Sequence, residues 1–253
     1  MRVVCIGSGN VATHLARAFK TAGNEIVQVW SRSASHASEL ACIVGAEVLE
    51  NLDEVEDAAD LYLIAVKDDA IPEVAETLVG VQGVVVHTSG ATNVDILAGH
   101  ARYGVFYPLQ TFSIQKEVDF AEVPLCVEAA DEETLRFLSG LGAEFGSQVY
   151  HIDSEKRRAL HLAAAFACNF VNHLYRLSHT ILEKHQMSFD MIRPLIRETA
   201  HKVQADLPEN VQTGPAVRND KRSMDAHLEM LSSDPQLSNI YQILSNSIKK
   251  TQH

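Results

Sequence analysis

The chain has 253 residues, 46% hydrophobic and 21% charged, a balance that excludes intrinsic disorder and fibrous repeats. The 21 Lys and Arg against 33 Asp and Glu leave a net charge of −12, and a surface of that sign repels phosphate backbones, so general nucleic-acid binding is not expected. The four cysteines (Cys5, Cys42, Cys126, Cys168) are scattered without CxxC or Cys/His spacing, so neither a disulfide framework nor a structural zinc site has support.

In chain order, strands are expected at Val3–Ile6, Ile26–Trp30, Leu61–Val66, Val84–His87, Gly104–Tyr107, Leu125–Glu128 and Gln148–Ile152. The early ones are continuous apolar runs, which suits parallel strands buried on both faces. Amphipathic stretches such as Val11–Ala22 and Ile71–Leu78 lie between them. This β-α-β-α order predicts an α/β fold with a doubly wound parallel sheet. From Asp153 onward the strand signal stops. A long helix capped by Asp153 or Ser154 is expected through residue 185, followed by helices at Phe189–Ala205, Ser223–Leu231 and Pro235–Lys250. Ser223 opens the third of these and Asp234-Pro235 the fourth. The segment Pro208–Asp220 reads as turn. Two domains follow: an α/β domain over 1–152 and an all-helical domain over 153–253. The longest apolar runs, such as Leu162–Cys168, fall far short of the ~20 residues a membrane helix needs. No export signal precedes the first strand, and a reducing cytoplasm is the expected setting.

Residues 7–12 read Gly7-Ser8-Gly9-Asn10-Val11-Ala12, a GxGxxA motif between an apolar strand and a helix. That context gives the motif its meaning. Gly7 permits the tight turn, Gly9 leaves room for a pyrophosphate, and Ala12 lets the helix sit close to the strand. The helix N-terminus offers free N–H groups and a positive dipole end to phosphate. An NAD site usually places Asp or Glu at the end of the second strand. Here Ser31-Arg32-Ser33 follows Trp30 instead. Arg32 can pair with a 2′-phosphate, with Ser31 and Ser33 adding hydroxyls, so NADP(H) is expected over NAD(H). A plain surface arginine is the alternative.

Ligands in open parallel sheets bind beyond the carboxyl ends of the strands. Ala65, Val66 and Lys67 at the end of the third predicted strand are expected to flank the nicotinamide half, Lys67 being equally compatible with a solvated loop charge. His87-Thr88-Ser89-Gly90 is expected to point polar groups at the cleft, with His87 toward substrate. Phe106-Tyr107-Pro108-Leu109-Gln110-Thr111-Phe112 reads as a shaped wall with Gln110 as a polar handle, or as a structural turn. At 100° per residue, Arg157, His161, Ala165, Cys168, Asn169 and Asn172 share one helix face. That strip faces a substrate cleft or a helix–helix or dimer contact. His161 is the leading general acid, with Asn169 and Ser89 fixing geometry. The loop Thr213-Gly214-Pro215-Ala216-Val217-Arg218-Asn219-Asp220 offers Thr213 and Arg218 to substrate, Arg218 clamping a carboxylate or forming a structural pair with Asp220.

The IGSGNVATHLARAF opening and the SRS after the second strand resemble pyrroline-5-carboxylate reductases and, more broadly, the 6-phosphogluconate dehydrogenase-like superfamily. With AVKDDAI, HTSG, FYPLQTF and TGPAVRND in that order, the whole chain is most similar to a bacterial group of Rossmann-like NADP oxidoreductases with a C-terminal domain of unknown function. The resemblance implies a homodimer formed through the helical domain. Related hydroxyacid dehydrogenases carry a Lys four residues before the Asn that Asn169 matches. This chain has Ala165 there, with His161 one turn earlier. The Ser-Pro-Gly-Gly-Thr-Thr substrate loop of pyrroline-5-carboxylate reductase is absent, and TGPAVRND stands in a comparable place. The expected activity is NADP(H)-dependent hydride transfer to or from a small polar carbonyl or imine. The alternatives are a non-catalytic NADP-binding sensor or scaffold, and hydride exchange with a deazaflavin.

Overall fold

The structure is a computed structural model and describes residues 1–251. The chain forms two compact units, Met1–Cys168 and the residues from Asn169 onward.

The first unit is built on an eight-stranded sheet: β1 (Arg2–Ile6), β2 (Glu25–Trp30), β3 (Glu47–Leu49), β4 (Leu61–Ile64), β5 (Val84–His87), β6 (Tyr103–Pro108), β7 (Leu125–Ala129) and β8 (Val149–His151). The order across the sheet is β3-β2-β1-β4-β5-β6-β7-β8. All neighbours run parallel except β6 and β7, which are antiparallel. Alternate residues of each strand feed opposite faces. Val3, Cys5, Leu61, Leu63, Val84 and Val86 form one core layer with Leu15 and Phe19 of α1 (Asn10–Thr21), Leu40 of α2 (Ala34–Val44) and Leu138 of α4 (Glu132–Glu144). Val4, Ile6, Tyr62, Ile64 and Val85 form the other with Ile71 and Val74 of α3 (Ile71–Thr77). Every residue of β4 and β5 is buried, which explains their lack of polar alternation. Strand order turns outward in both directions from β1 and β4, so the topological switch point lies at their carboxyl ends.

Five local features depart from expectation. β3 is a three-residue strand, too short for a period-2 signal. The third predicted strand stops at Ile64, so Ala65 and Val66 are loop. The predicted long helix is α5 (Ser154–Ala164), a π-helical segment (Ala165–Phe170) and α6 (Val171–Lys184). An i→i+5 turn inserts a residue and breaks the 100° spacing, so periodicity no longer places His161 and Asn169 on one strip. Pro208–Val211, expected as turn, forms the short helix α8, after α7 (Arg193–Ala205). The helix α9 (Lys221–Met230) is capped by Asp220, whose carboxylate accepts from Ser223 N and Oγ; Ser223 sits inside the helix. Asp153 caps α5, and Asp234 caps α10 (Pro235–Lys250).

The regular structure of the second unit is helical among the described residues. Its only buried hydrophobic residues among those described are Ala216, Met224 and Leu237, while Met191, Leu195, Leu207 and Met230 are each more than half exposed. No helix of the described residues is long and apolar enough to cross a membrane.

Candidate dinucleotide and substrate site

The Gly7–Ala12 loop sits at the switch point, and each small residue in it has a spatial reason. Gly7 has φ +128°, and a Cβ there would lie 2.2 Å from Ala65 O, so β1 can approach the end of β4 only without a side chain. Its N–H donates to Trp30 O at 2.7 Å, tying the loop to the end of β2. Gly9 is the N-cap of α1 and offers no side-chain cap to the first turn. A Cβ at Gly9 would meet nothing within 4 Å. The helix therefore begins in open space, with uncapped N–H groups and its positive dipole end available to an anion. Ala12 is fully buried against the sheet. Val11 is half-buried, and the Asn10 amide donates to Phe112 O at 2.9 Å, fastening the loop after β6 over α1. His14 reinforces that contact through Nε2, 2.9 Å from Ser113 O.

The two strand ends that carry the dinucleotide expectation are linked directly. Ser8 Oγ donates to Ser31 Oγ at 2.7 Å, and Ser31 Oγ also accepts from Ser33 N. Ser33 Oγ caps α2 by accepting from His36 N. The serines thus shape the β2–α2 turn. Arg32 projects from it, exposed and without an ion pair among the described residues. An open, uncapped helix start beside an uncommitted guanidinium fits a dinucleotide bearing a 2′-phosphate. Ala65 is buried at the same switch point, Val66 is half-buried and Lys67 is exposed.

Next to this cradle, the turn after β5 is held from within. His87 has no exposed area, and its Nδ1 accepts from Ser89 N at 3.2 Å. The ring therefore supports the turn from the core and does not present itself to substrate as the sequence suggested. Burial and then the nearby Arg157 charge lower its pKa to about 4, so it is neutral. Ser89 Oγ accepts from Ala91 N and Thr92 N at 3.0 and 2.9 Å, which fixes the turn through Gly90. Arg157, expected on a polar strip facing a substrate cleft or a helix–helix or dimer contact, is fully buried inside the first unit instead. Its guanidinium donates to Glu128, to Thr92 O and, at 3.0 Å, to Ser154 Oγ. Glu128 also accepts from Ser154 N at 2.9 Å. One arginine thereby joins the turn after β5, the end of β7 and the start of α5.

The result is a close meeting of Gly90, Tyr107 and His161. Tyr107 Oη and His161 Nδ1 are 3.1 Å apart, with the rings edge to face at 6.1 Å. A Cβ at Gly90 would lie 2.6 Å from His161 Nδ1 and 2.9 Å from Tyr107 Cζ, so only glycine leaves room for the pair. Burial pushes the Tyr107 phenol up to about 12, so at neutral pH it keeps its proton. The phenol can then donate to Nδ1, which assigns the neutral ring's proton to Nε2. Sequence reasoning placed Tyr107 only in a wall. The Tyr-Pro at a strand end was visible, but its pairing with a residue 54 positions away was not.

Gln110 is exposed and its Oε1 accepts from Thr111 N. Asn169 belongs to the second unit and is exposed, as are Thr213 and Arg218. Arg218 faces the charge of Asp220, whose pKa is lowered chiefly by the Ser223 hydrogen bonds and less by Arg218. No cluster suited to a metal ion occurs among the described residues.

Comparison with known proteins adds the following. A Rossmann-like domain model matches residues 1–111, and the domain of unknown function DUF2520 matches residues 123–248. A Bacteroides fragilis protein whose name gives NADP oxidoreductase as its proposed activity is 45% identical, with a TM-score of 0.94 over 98% of both chains. A 1-pyrroline-5-carboxylate reductase from Streptococcus pyogenes has a TM-score of 0.65 at 13% identity, covering 99% of this chain and 98% of its own. An imine reductase from Myxococcus stipitatus, in complex with NADP+, has a TM-score of 0.65 at 16% identity, covering 99% and 92%. The comparison with curated proteins finds no match.

Proposed function

Because this chain belongs to the family that joins a Rossmann-like domain to DUF2520, we propose that it is an NADP(H)-dependent oxidoreductase acting on a small polar carbonyl or imine. The observation that carries the proposal is the uncapped start of α1 at Gly9 beside the unpaired Arg32. The 45% identity to the Bacteroides fragilis protein supports it.

NADPH, when bound, supplies the hydride. The α1 N-terminus holds its pyrophosphate, Arg32 its 2′-phosphate, and Ala65, Val66 and Lys67 flank its other half. The substrate lies against the turn after β5. His161, as imidazolium, donates the proton from Nε2, while its Nδ1–H donates to Tyr107 Oη, the reverse of the direction in the neutral ring. Substrate then leaves protonated at the former carbonyl oxygen or imine nitrogen, and the neutral imidazole is recharged from solvent. Ser89 fixes the turn that carries Gly90.

The protein works as a homodimer joined through the helical unit, a reading supported by how little apolar surface that unit buries alone. Its setting is the cytoplasm, consistent with four free thiols. NADPH oxidation across cyclic imines and keto acids, with His161→Ala alongside, tests the assignment. Turnover that falls in the variant while NADPH affinity holds supports it. Ala165, where related dehydrogenases carry lysine, favours the alternative of a non-catalytic NADP sensor. NADPH binding with no turnover on any substrate class would select that alternative.

A further inference from the structure

The second unit contains a groove of about 620 Å3 between α6 and α7. Its α6 wall consists of Asn172, Tyr175, Arg176 and His179, positions three and four apart on one face. The α7 wall contributes Arg193 and Arg197 by the same spacing. Phe189 lies between them and organises both sides. The Arg193 guanidinium sits 5.2 Å above its ring, and His179 meets it edge to face at 5.6 Å.

The charge of this groove runs against that of the chain. The protein carries a net −12, yet the groove is lined by three guanidiniums and no carboxylate. Asp190 pairs with Arg193 at the rim. Arg176 and Arg197 have no ion pair among the described residues. Like charges on facing helices repel. The Tyr175 hydroxyl, the Asn172 amide and the His179 imidazole add further donors around the cationic pair. Planar guanidinium forks suit carboxylate and phosphoryl oxygens, and an aromatic floor excludes water from one side.

We infer that the α6–α7 groove is a binding site for a small oxyanion carrying two or more negative charges, a polycarboxylate or a phosphoryl compound, held mainly by Arg176 and Arg197. The inference does not depend on the oxidoreductase reading, because the site is built entirely from the second unit and its test needs no cofactor. Calorimetric titration of the full-length protein with citrate and, separately, with inorganic pyrophosphate reads it directly. The comparison chain carries Arg176→Gln and Arg197→Gln, exposed positions whose change leaves packing intact. Any binding at the Gly9 loop is common to both chains and subtracts out. The wild type is expected to show a saturable site that weakens as ionic strength rises. The double variant is expected to lose affinity by roughly tenfold or more for each arginine, at unchanged melting temperature and molecular mass. Response to citrate alone identifies a polycarboxylate ligand, and response to pyrophosphate alone a phosphoryl ligand. No heat with either anion, or equal heat in both chains, overturns the inference. So does a change of molecular mass in the variant, which would make the groove a subunit contact.

Discussion

Gly90→Ala isolates the pairing of Tyr107 with His161 without touching either side chain. The added methyl would lie 2.6 Å from His161 Nδ1, 2.8 Å from His161 Cγ and 2.9 Å from Tyr107 Cζ. Favourable contact begins at ~3.5 Å, so the overlap is close to an ångström. The turn cannot retreat, because Ser89 Oγ and Arg157 pin it on both sides of Gly90. The exposed His161 ring is the part free to move, and moving it breaks the 3.1 Å bond to Tyr107. Losing a neutral hydrogen bond and freeing the ring costs about 1–3 kcal/mol. General acid catalysis contributes on the order of 10²–10⁴-fold, so kcat should fall roughly 10- to 100-fold. NADPH affinity should not change, since the Gly9 cradle is untouched. Steady-state NADPH oxidation on the best substrate of the panel, together with a fluorescence titration of NADPH, separates the two. An unchanged kcat would refute the role given to His161.

Three further outcomes follow from the same geometry. Tyr107→Phe should leave folding intact and release Nδ1, so the neutral His161 ring should shift from one tautomer to a mixture, visible in ring nitrogen chemical shifts; a wild-type ring already mixed would contradict the donation from Tyr107. Arg157→Leu removes one partner of a buried ion pair and should cost about 3–5 kcal/mol in urea unfolding; a loss below ~1 kcal/mol would mean that Glu128 finds water. His87 titrates at about 4 folded against 6.5 unfolded, so its contribution to stability is full above pH 6.5 and is lost progressively down to pH 4, by about 3 kcal/mol. Unfolding free energies at pH 7.5 and 4.5 should therefore differ less in His87→Asn than in wild type, and equal differences would contradict its burial as a neutral ring.

What was legible in the sequence was whatever depends on neighbours along the chain. The apolar runs of β1, β4 and β5 and the GxGxxA loop carry their own reasons, because burial on both faces and a tight strand-to-helix turn leave local marks. The exposed place of Arg32 was readable for the same reason, because it follows its strand directly. What stayed hidden depends on pairing across the fold. Arg157 looked like part of a strip facing a cleft or another helix, since nothing near it announces Glu128 29 positions earlier or Thr92 65 positions earlier. His87 looked like a cleft residue because it ends a strand, yet the same strand end turns its ring inward. The π-helical segment at Ala165–Phe170 has no periodicity signature, so one polar strip was drawn through a place where the helix changes its step. Glu47–Leu49 was too short to register against its surroundings.

The proposed activity requires that the open start of α1 and Arg32 hold a dinucleotide together. Calorimetric titration of NADPH and NADH into wild type and Arg32→Ala measures this directly. A guanidinium–phosphate pair is worth about 1.5–3 kcal/mol, so wild type should prefer NADPH by roughly 10- to 100-fold and the variant should bind both alike. Absence of heat with either nucleotide, or a preference unaltered by removing Arg32, would contradict it.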